Sequence, residues 1–199
     1  MSEKYEAIVL IGMPGTGKGT QGRIIGRVPG FHYFSSGDMF RALDPTTETG
    51  RVVHDRISRG ELVSDDLVIS LWKEHLEQAI AAGRFHPERD VLILDGLPRT
   101  VPQAEMLEAH GDVRTVLSLG CADEQELLAR MLRRAQKEGR ADDQTSVIRR
   151  RLEIFHEQTA PVLAHYPKTL IAEINALQTP LEVLAAIVEV LIPLQLEQP

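Results

Sequence analysis

The chain has one cysteine, Cys121, among 199 residues. That excludes an intrachain disulfide and a zinc site built on several thiolates, and it fits a reducing compartment. No apolar run approaches the ~20 residues a membrane-spanning helix needs. The opening Met1-Ser2-Glu3-Lys4-Tyr5-Glu6 lacks a basic stretch followed by an apolar one, so no secretory leader is expected and the protein is expected to be cytoplasmic. Positive charge is in deficit: 22 Lys and Arg stand against 29 Asp and Glu, a formal net charge of −7. That balance argues against general nucleic-acid binding. The histidines (32, 54, 75, 86, 110, 156 and 165) show no metal-ligand spacing, and there is no repeat, linker or low-complexity tract. Cys121 reads as a small buried hydrophobe near a strand end.

What is present suits one globular domain, expected to be monomeric: 43% hydrophobic and 26% charged residues, enough to bury a core without staples. Short apolar runs at Glu6–Gly12, Phe31–Ser35, Val91–Leu94, Val113–Leu119 and Leu170–Ile174 read as buried parallel strands. Helices are expected between them: Lys18 to Arg27, one opened by Ser36-Gly37-Asp38, Val52 to Ser58, and one capped at Ser64 and running to Ala82. Others run from Thr100 to His110, from Asp123 to Lys137, in one long stretch from Asp143 to His165, and from Pro180 to Leu191. Strands alternating with helices predict an α/β fold with a five-stranded parallel sheet flanked by helices. Residues 44–64, polar and broken by Pro45, Gly50 and Gly60, read as a small lobe outside the sheet.

The strand-loop-helix passage Gly12-Met13-Pro14-Gly15-Thr16-Gly17-Lys18-Gly19-Thr20 carries the most chemistry. Its glycines let backbone N–H groups converge on phosphate oxygens, the helix N-terminus adds partial positive charge, and Lys18 reaches the outer phosphates. Gly19 stands where the general phosphate-loop pattern has Ser or Thr, which disfavours a generic GTPase or motor ATPase. Arg41 and Arg99 are forked donors suited to a phosphate. Asp95 ends a buried strand, at the edge where α/β sheets bind ligands. Asp38 is a second acid nearby. From Arg130 to Arg151 seven arginines and Lys137 face only Glu138, Asp142 and Asp143, a basic segment in an acidic chain.

The run Gly12 to Gln21 fits GxPGxGKGTQ and resembles the adenylate kinase family of nucleoside monophosphate kinases. Ser35 to Arg41 looks like that family's S-T-G-D-M-x-R segment, Leu62 to Asp65 like its L-V-[ST]-D, and Asp95 to Gln103 like its D-G-[FY]-P-R-T-x-x-Q. The resemblance spans nearly the whole chain. It departs at Leu97, which replaces an aromatic, at Ser36, which replaces the usual Thr, and over Leu43–Thr49, which bears on the shape of the acceptor lobe.

The resemblance implies a P-loop nucleoside monophosphate kinase fold with an acceptor lobe at about 35–64 and a short lid at about 133–143. It implies ATP held by Gly15, Thr16, Gly17, Lys18, Gly19, Thr20, Arg130 and Arg134, with the backbone near Gln178 at its base. It implies AMP held by Ser36, Arg41, Glu61, Leu62, Val63, Gly96, Leu97, Pro98, Arg99, Gln103, Arg140 and Arg151. Gln103 would read the adenine, since a Gln amide can pair with an edge of that base through both its carbonyl and its NH₂. Lys18, Arg99, Arg134, Arg140 and Arg151 would be catalytic, and Asp95 and Asp38 would hold Mg²⁺ through water, with no zinc site. Arg133, Arg149 and Arg150 are expected to face solvent. The expected reaction converts ATP and AMP to two ADP, without nucleic acid or membrane partners. The alternatives are a kinase of the same fold acting on UMP or CMP, a plain ATPase, and an adenine-nucleotide sensor without turnover.

Overall fold

The computed structural model describes residues 4–138 and 144–196. Five strands, β1 (Tyr5–Gly12), β2 (Phe31–Ser35), β3 (Val91–Asp95), β4 (Gly111–Gly120) and β5 (Ile171–Asn175), form one sheet in the order β2-β3-β1-β4-β5. All pairings are parallel. The helices are α1 (Lys18–Ile25), α2 (Ser36–Ala42), α3 (Glu48–Ser58), α4 (Asp65–Ala81), α5 (Val101–Glu108), α6 (Glu124–Glu138), α7 (Thr145–Ile154) and α8 (Pro180–Leu196).

The expected parallel sheet follows from strand residues buried on both faces. Along β1, Ala7, Val9 and Ile11 pack on one side with Trp72 and Leu76 of α4 and Leu107 of α5. Ile8 and Leu10 pack on the other with Ile25 of α1 and Val183 and Ile187 of α8. That is the period of two a strand dictates, applied to a segment apolar at every position. A third cluster, Met13, Leu127, Met131, Ile148 and Leu152, joins the phosphate loop to α6 and α7. Register brings the carboxyl ends of three strands to one rim: Ser35 of β2 and Leu10 of β1 both lie opposite Asp95 of β3. Among the described residues no helix is long and apolar enough to cross a membrane.

Several expected boundaries move. The third helix begins four residues early, at Glu48, because Thr47 accepts from Gly50 N at 3.0 Å and caps it. Ser64 precedes α4 without a side-chain cap. Thr100 does cap α5, through Gln103 N, and Asp123 accepts from Gln125 and Glu126 N ahead of α6. The helix expected to run unbroken to His165 does not. α7 ends at Ile154, a π-helical turn covers Phe155–Thr159, and a 3₁₀ segment covers Ala160–His165. Pro161 explains the break, since it has no N–H to give the carbonyl of Glu157 and its ring crowds that oxygen. α7 starts at Thr145, after an extended Gln144, and not at the expected Asp143. α8 continues past Leu191 to Leu196 with Pro193 inside it. Cys121 is only partly buried, its Sγ donating to Asp123 O at 3.2 Å.

Helix α1 lies close on the sheet at Gly22. A Cβ there would fall 2.3 Å from Cε2 and 2.7 Å from Cδ2 of Tyr33. In an exposed helix Gly→Ala stabilises by about 1 kcal/mol. Here overpacking reverses the sign, and Gly22→Ala is expected to destabilise by about 1–3 kcal/mol in urea unfolding. Equal or higher stability would show that α1 can move off β2.

Candidate functional site

The loop between β1 and α1 is shaped by Gly15 and Gly17, whose φ angles of +90° and +92° lie in the left-handed region that favours glycine. No side chain caps α1, leaving its first N–H groups to an anion from outside. Lys18 Nζ donates to Gly12 O at 2.5 Å and Met13 O at 3.0 Å, folding the ammonium across the loop it belongs to. Burial pulls its pKa from 10.5 down to about 8. The Asp95 carboxylate opposes that shift, and Arg99, Arg151 and Arg134 add to it. Four cations therefore share one electrostatic neighbourhood.

Asp95 is almost wholly buried at the tip of β3 and accepts a 2.7 Å hydrogen bond from Tyr33 Oη at its Oδ2. A Cβ on Gly19 would stand 3.5 Å from that oxygen, so the carboxylate lies against the phosphate loop. Arg99 is held at three points. Its N–H donates to Gln103 Oε1 at 2.7 Å, its Nε to Gly96 O at 3.0 Å, and its carbonyl accepts from Thr159 Oγ1 at 2.9 Å. The π-helical turn after α7 is what brings Thr159, with Ile154 and Phe155, to the cleft.

The cleft at the strand ends gathers most of the expected residues. Lys18 and Arg41 line it with Asp38, Asp95, Arg99, Arg134 and Arg151. A side pocket opens from it over Phe40, Ile57, Val63 and Val68, with Arg41, Glu61, Leu62, Gly96, Arg99, Gln103 and Arg151 on its walls. At its edge Gly60, with φ +74°, approaches α7 so closely that a Cβ would lie 2.9 Å from Val147 O and 3.1 Å from Arg151 Cγ. Gln103 is buried, and its amide is partly committed: Nε2 donates to Asp65 Oδ1 at 2.8 Å while Oε1 takes the Arg99 N–H. One N–H and one lone pair remain for a ligand.

Other expected contacts stand behind the wall of the cleft. Thr16 is buried and donates to Met13 O at 2.9 Å. Ser36 is fully buried and donates to Gly96 O at 2.7 Å, so its hydroxyl shapes the Gly96 turn. Leu97 is a core residue, fully buried, which accounts for an aliphatic chain serving there. Gln21, the last residue of the loop motif, is also buried and ties α1 to α8 through Pro180 O at 2.9 Å. Arg130 donates to Ala176 O at 2.8 Å and to Glu126 at 3.0 Å, which sets it beside the turn that carries exposed Gln178. Arg133, Arg149 and Arg150 are exposed. Arg140 and the 139–143 part of the expected lid lie outside the described residues.

Three side chains that bring a polar group to the cleft were not anticipated: Arg23, Tyr33 and Thr159. Arg23 follows Lys18 by five residues on α1, a spacing that could have been noticed. The other two are placed by tertiary contacts. Asp38, expected near a metal, is instead paired through both oxygens, to Arg23 and to Arg41, each at 2.6 Å. Burial pushes its pKa up, but the hydrogen bonds from Arg41 and Arg23 outweigh that and hold it below the ordinary carboxylate value. Among the described residues no three His, Cys, Asp or Glu are grouped to hold a metal by themselves.

The sequence profile of a family described as adenylate kinase matches residues 10–171. An adenylate kinase of Thermus thermophilus is 37% identical over 188 residues, covering 92% of this chain and 95% of that protein. The adenylate kinase of Maricaulis maris is 44% identical over 165 residues, covering 80% and 84%. That of Kocuria rhizophila is 42% identical over 164 residues, covering 80% and 84%.

Lys18 carries a measurable cost in the empty protein. Its folded pKa of about 8 is below its unfolded value, so the unfolded chain binds more protons between those two values and stability rises with pH there. Below pH 8 the full cost is present. Lys18→Met is expected to raise the melting temperature of the nucleotide-free protein by a few °C at pH 7. The gain should shrink toward pH 10. A lower melting temperature at pH 7 would show that the two hydrogen bonds outweigh the buried charge.

Proposed function

The chain belongs to the adenylate kinase family, and from that premise we propose that it transfers the terminal phosphoryl group of ATP reversibly to AMP, giving two ADP. The observation that carries this reading is the meeting of Lys18, Arg41, Arg99, Arg134 and Arg151 with an uncapped glycine loop in one cleft. The single cysteine supports a cytoplasmic protein, the net charge of −7 supports free nucleotides over nucleic acid as its substrates, and the compact single domain supports a monomer.

The chemistry asks for little covalent help. A phosphate oxygen of AMP attacks the γ-phosphorus in line, and the bond to the β–γ bridging oxygen breaks, leaving ADP. That transition state is loose and needs position and charge. The attacking oxygen is already anionic near neutral pH, because the second pKa of a phosphate monoester is about 6. No general base is required. In this reading the loop amides and Lys18 hold the donor phosphates, and Arg41 and Arg99 hold the acceptor phosphate. Arg134 and Arg151, with Arg140 from the lid, neutralise charge on the group in transit. The side pocket takes the acceptor base, with the free edge of Gln103 favouring adenine. Arg130 and the turn at Gln178 take the donor base.

Magnesium fits the donor set. Asp95 offers a hard carboxylate against the loop, and Mg²⁺ is commonly held by one or two carboxylates through water together with substrate phosphates. When bound with ATP it would neutralise charge between the outer phosphates. Asp95 would hold it through water. Asp38 could join only by giving up a contact with Arg23 or Arg41.

ADP formation measured with AMP, UMP, CMP, GMP or no acceptor tests the proposal. AMP should turn over fast and water hardly at all. A preference for UMP or CMP would keep the mechanism and overturn the role of Gln103, and tight ATP binding with no turnover would favour a sensor. Arg99→Ala should lower kcat about 10²–10³-fold with the circular dichroism spectrum intact. Unchanged turnover would remove Arg99 from the mechanism. Arg134→Lys should also be costly, since a point charge cannot reproduce a planar fork. Wild-type kinetics in that variant would refute a bidentate clamp.

A further inference from the structure

Asp38 poses an electrostatic problem. It is a carboxylate in the wall of a cleft that receives two polyanions. Its Oδ1 accepts from Nη2 of Arg41 at 2.6 Å and its Oδ2 from Nη2 of Arg23 at 2.6 Å. Arg23 comes from α1, the helix opened by the phosphate loop, and Arg41 and Asp38 come from α2. One carboxylate is thus shared by guanidiniums on two elements.

Gly37 makes the arrangement possible on the Arg41 side. A Cβ there would lie 3.1 Å from Nη2 and 3.2 Å from Nη1 of Arg41. The fork folds back over the first turn of its own helix, where Asp38 can hold it. That orients Arg41, at a cost: a carboxylate close enough to orient a guanidinium also cancels its field. Arg23 supplies the missing charge. The three side chains together carry one net positive charge, and without Arg23 they carry none.

We propose that Arg23 is a positioning residue for the acceptor phosphate: it neutralises Asp38, so that Asp38 can aim Arg41 at a nucleoside monophosphate without cancelling its charge. This rests on Arg41 being a ligand of the acceptor phosphate. The side chains of Arg23, Asp38 and Arg41 are 50%, 40% and 34% exposed, so the pairs contribute little to the stability of the empty protein. Their balance matters when the nucleotide displaces water and the local dielectric falls.

The test is calorimetric binding of AMP to the full chain without ATP or magnesium, which removes any role of Asp38 at a metal. Arg23→Gln is expected to weaken AMP binding about five- to tenfold. Its melting temperature should stay within about 2 °C of wild type. Arg23→Lys should hold affinity to within about twofold, because the Arg23 contact is a single N–H on one oxygen that a point charge can replace. The double variant Arg23→Gln/Asp38→Asn should bind more tightly than Arg23→Gln alone, because the uncompensated carboxylate is gone. Unchanged affinity in Arg23→Gln overturns the proposal, as does a double variant no tighter than the single. If the wild type itself fails to bind AMP, the acceptor reading falls and takes this inference with it.

Discussion

Repulsion among like charges is the constraint the site is built around. Lys18 is drawn to low pKa by burial and then further by Arg99, Arg151 and Arg134, with Asp95 opposing them. In water such a group would disperse. Here each cation is anchored on a different element: Lys18 on the loop into α1, Arg99 past the end of β3, Arg134 on α6 and Arg151 on α7. The cost of assembling them is carried by the apolar layers on either side of the sheet. What remains is a preformed field that strengthens as anions enter and water leaves.

The backbone does much of this anchoring. Arg99 is tied through its N–H, its Nε and its carbonyl to Gln103, Gly96 and Thr159. Two of these ties reach other parts of the cleft. Gln103 Oε1 takes the Arg99 N–H, so the residue proposed to read the base is wired to the one proposed to hold the phosphate, and its Nε2 donates to Asp65 at the start of α4. Thr159 lies on the π-helical turn, so an imperfection in the helical ladder is what carries a hydroxyl to the Arg99 carbonyl. π-turns recur at functional sites because they shift the face a helix presents, and here the shift has an identifiable partner.

The parallel sheet and most cleft residues were readable because apolar runs and the phosphate loop are local signals. Asp95 ends β3, and Lys18 and Arg99 follow β1 and β3 closely in sequence, so their place at the rim holds whatever packs around it. Orientation was not readable. Ser36 and Leu97 lie in the same motifs as Arg41 and Arg99 yet face inward, because a motif marks a segment and the fold decides which side of it meets ligand. Tyr33 was out of reach for a different reason. Its hydroxyl meets Asp95 only because β2 pairs with β3 in a register that sets Ser35 opposite Asp95, a fact of tertiary structure. Asp38 shows the same limit in part: Arg41 is its i+3 neighbour on α2, but Arg23 comes from α1 and meets it only through the way both helices pack on the sheet. The helix break at Phe155 could have been read from Pro161.

The acidity of the whole chain is consistent with its cationic cleft. A protein with a net charge of −7 repels polyanions at long range, yet that repulsion is screened beyond about 8 Å at physiological salt. Inside the cleft screening fails, because buried charges exclude ions and the walls are of low dielectric. An anion small enough to enter therefore meets a local field of the opposite sign, while a long polyanion meets mainly the acidic exterior. Charge distribution thus supports the proposed choice of a free nucleotide over a nucleic acid carrying the same phosphates, by size as well as by sign. The cleft arginines are few, local and set in an acidic chain, and a uniformly basic surface would lose that distinction.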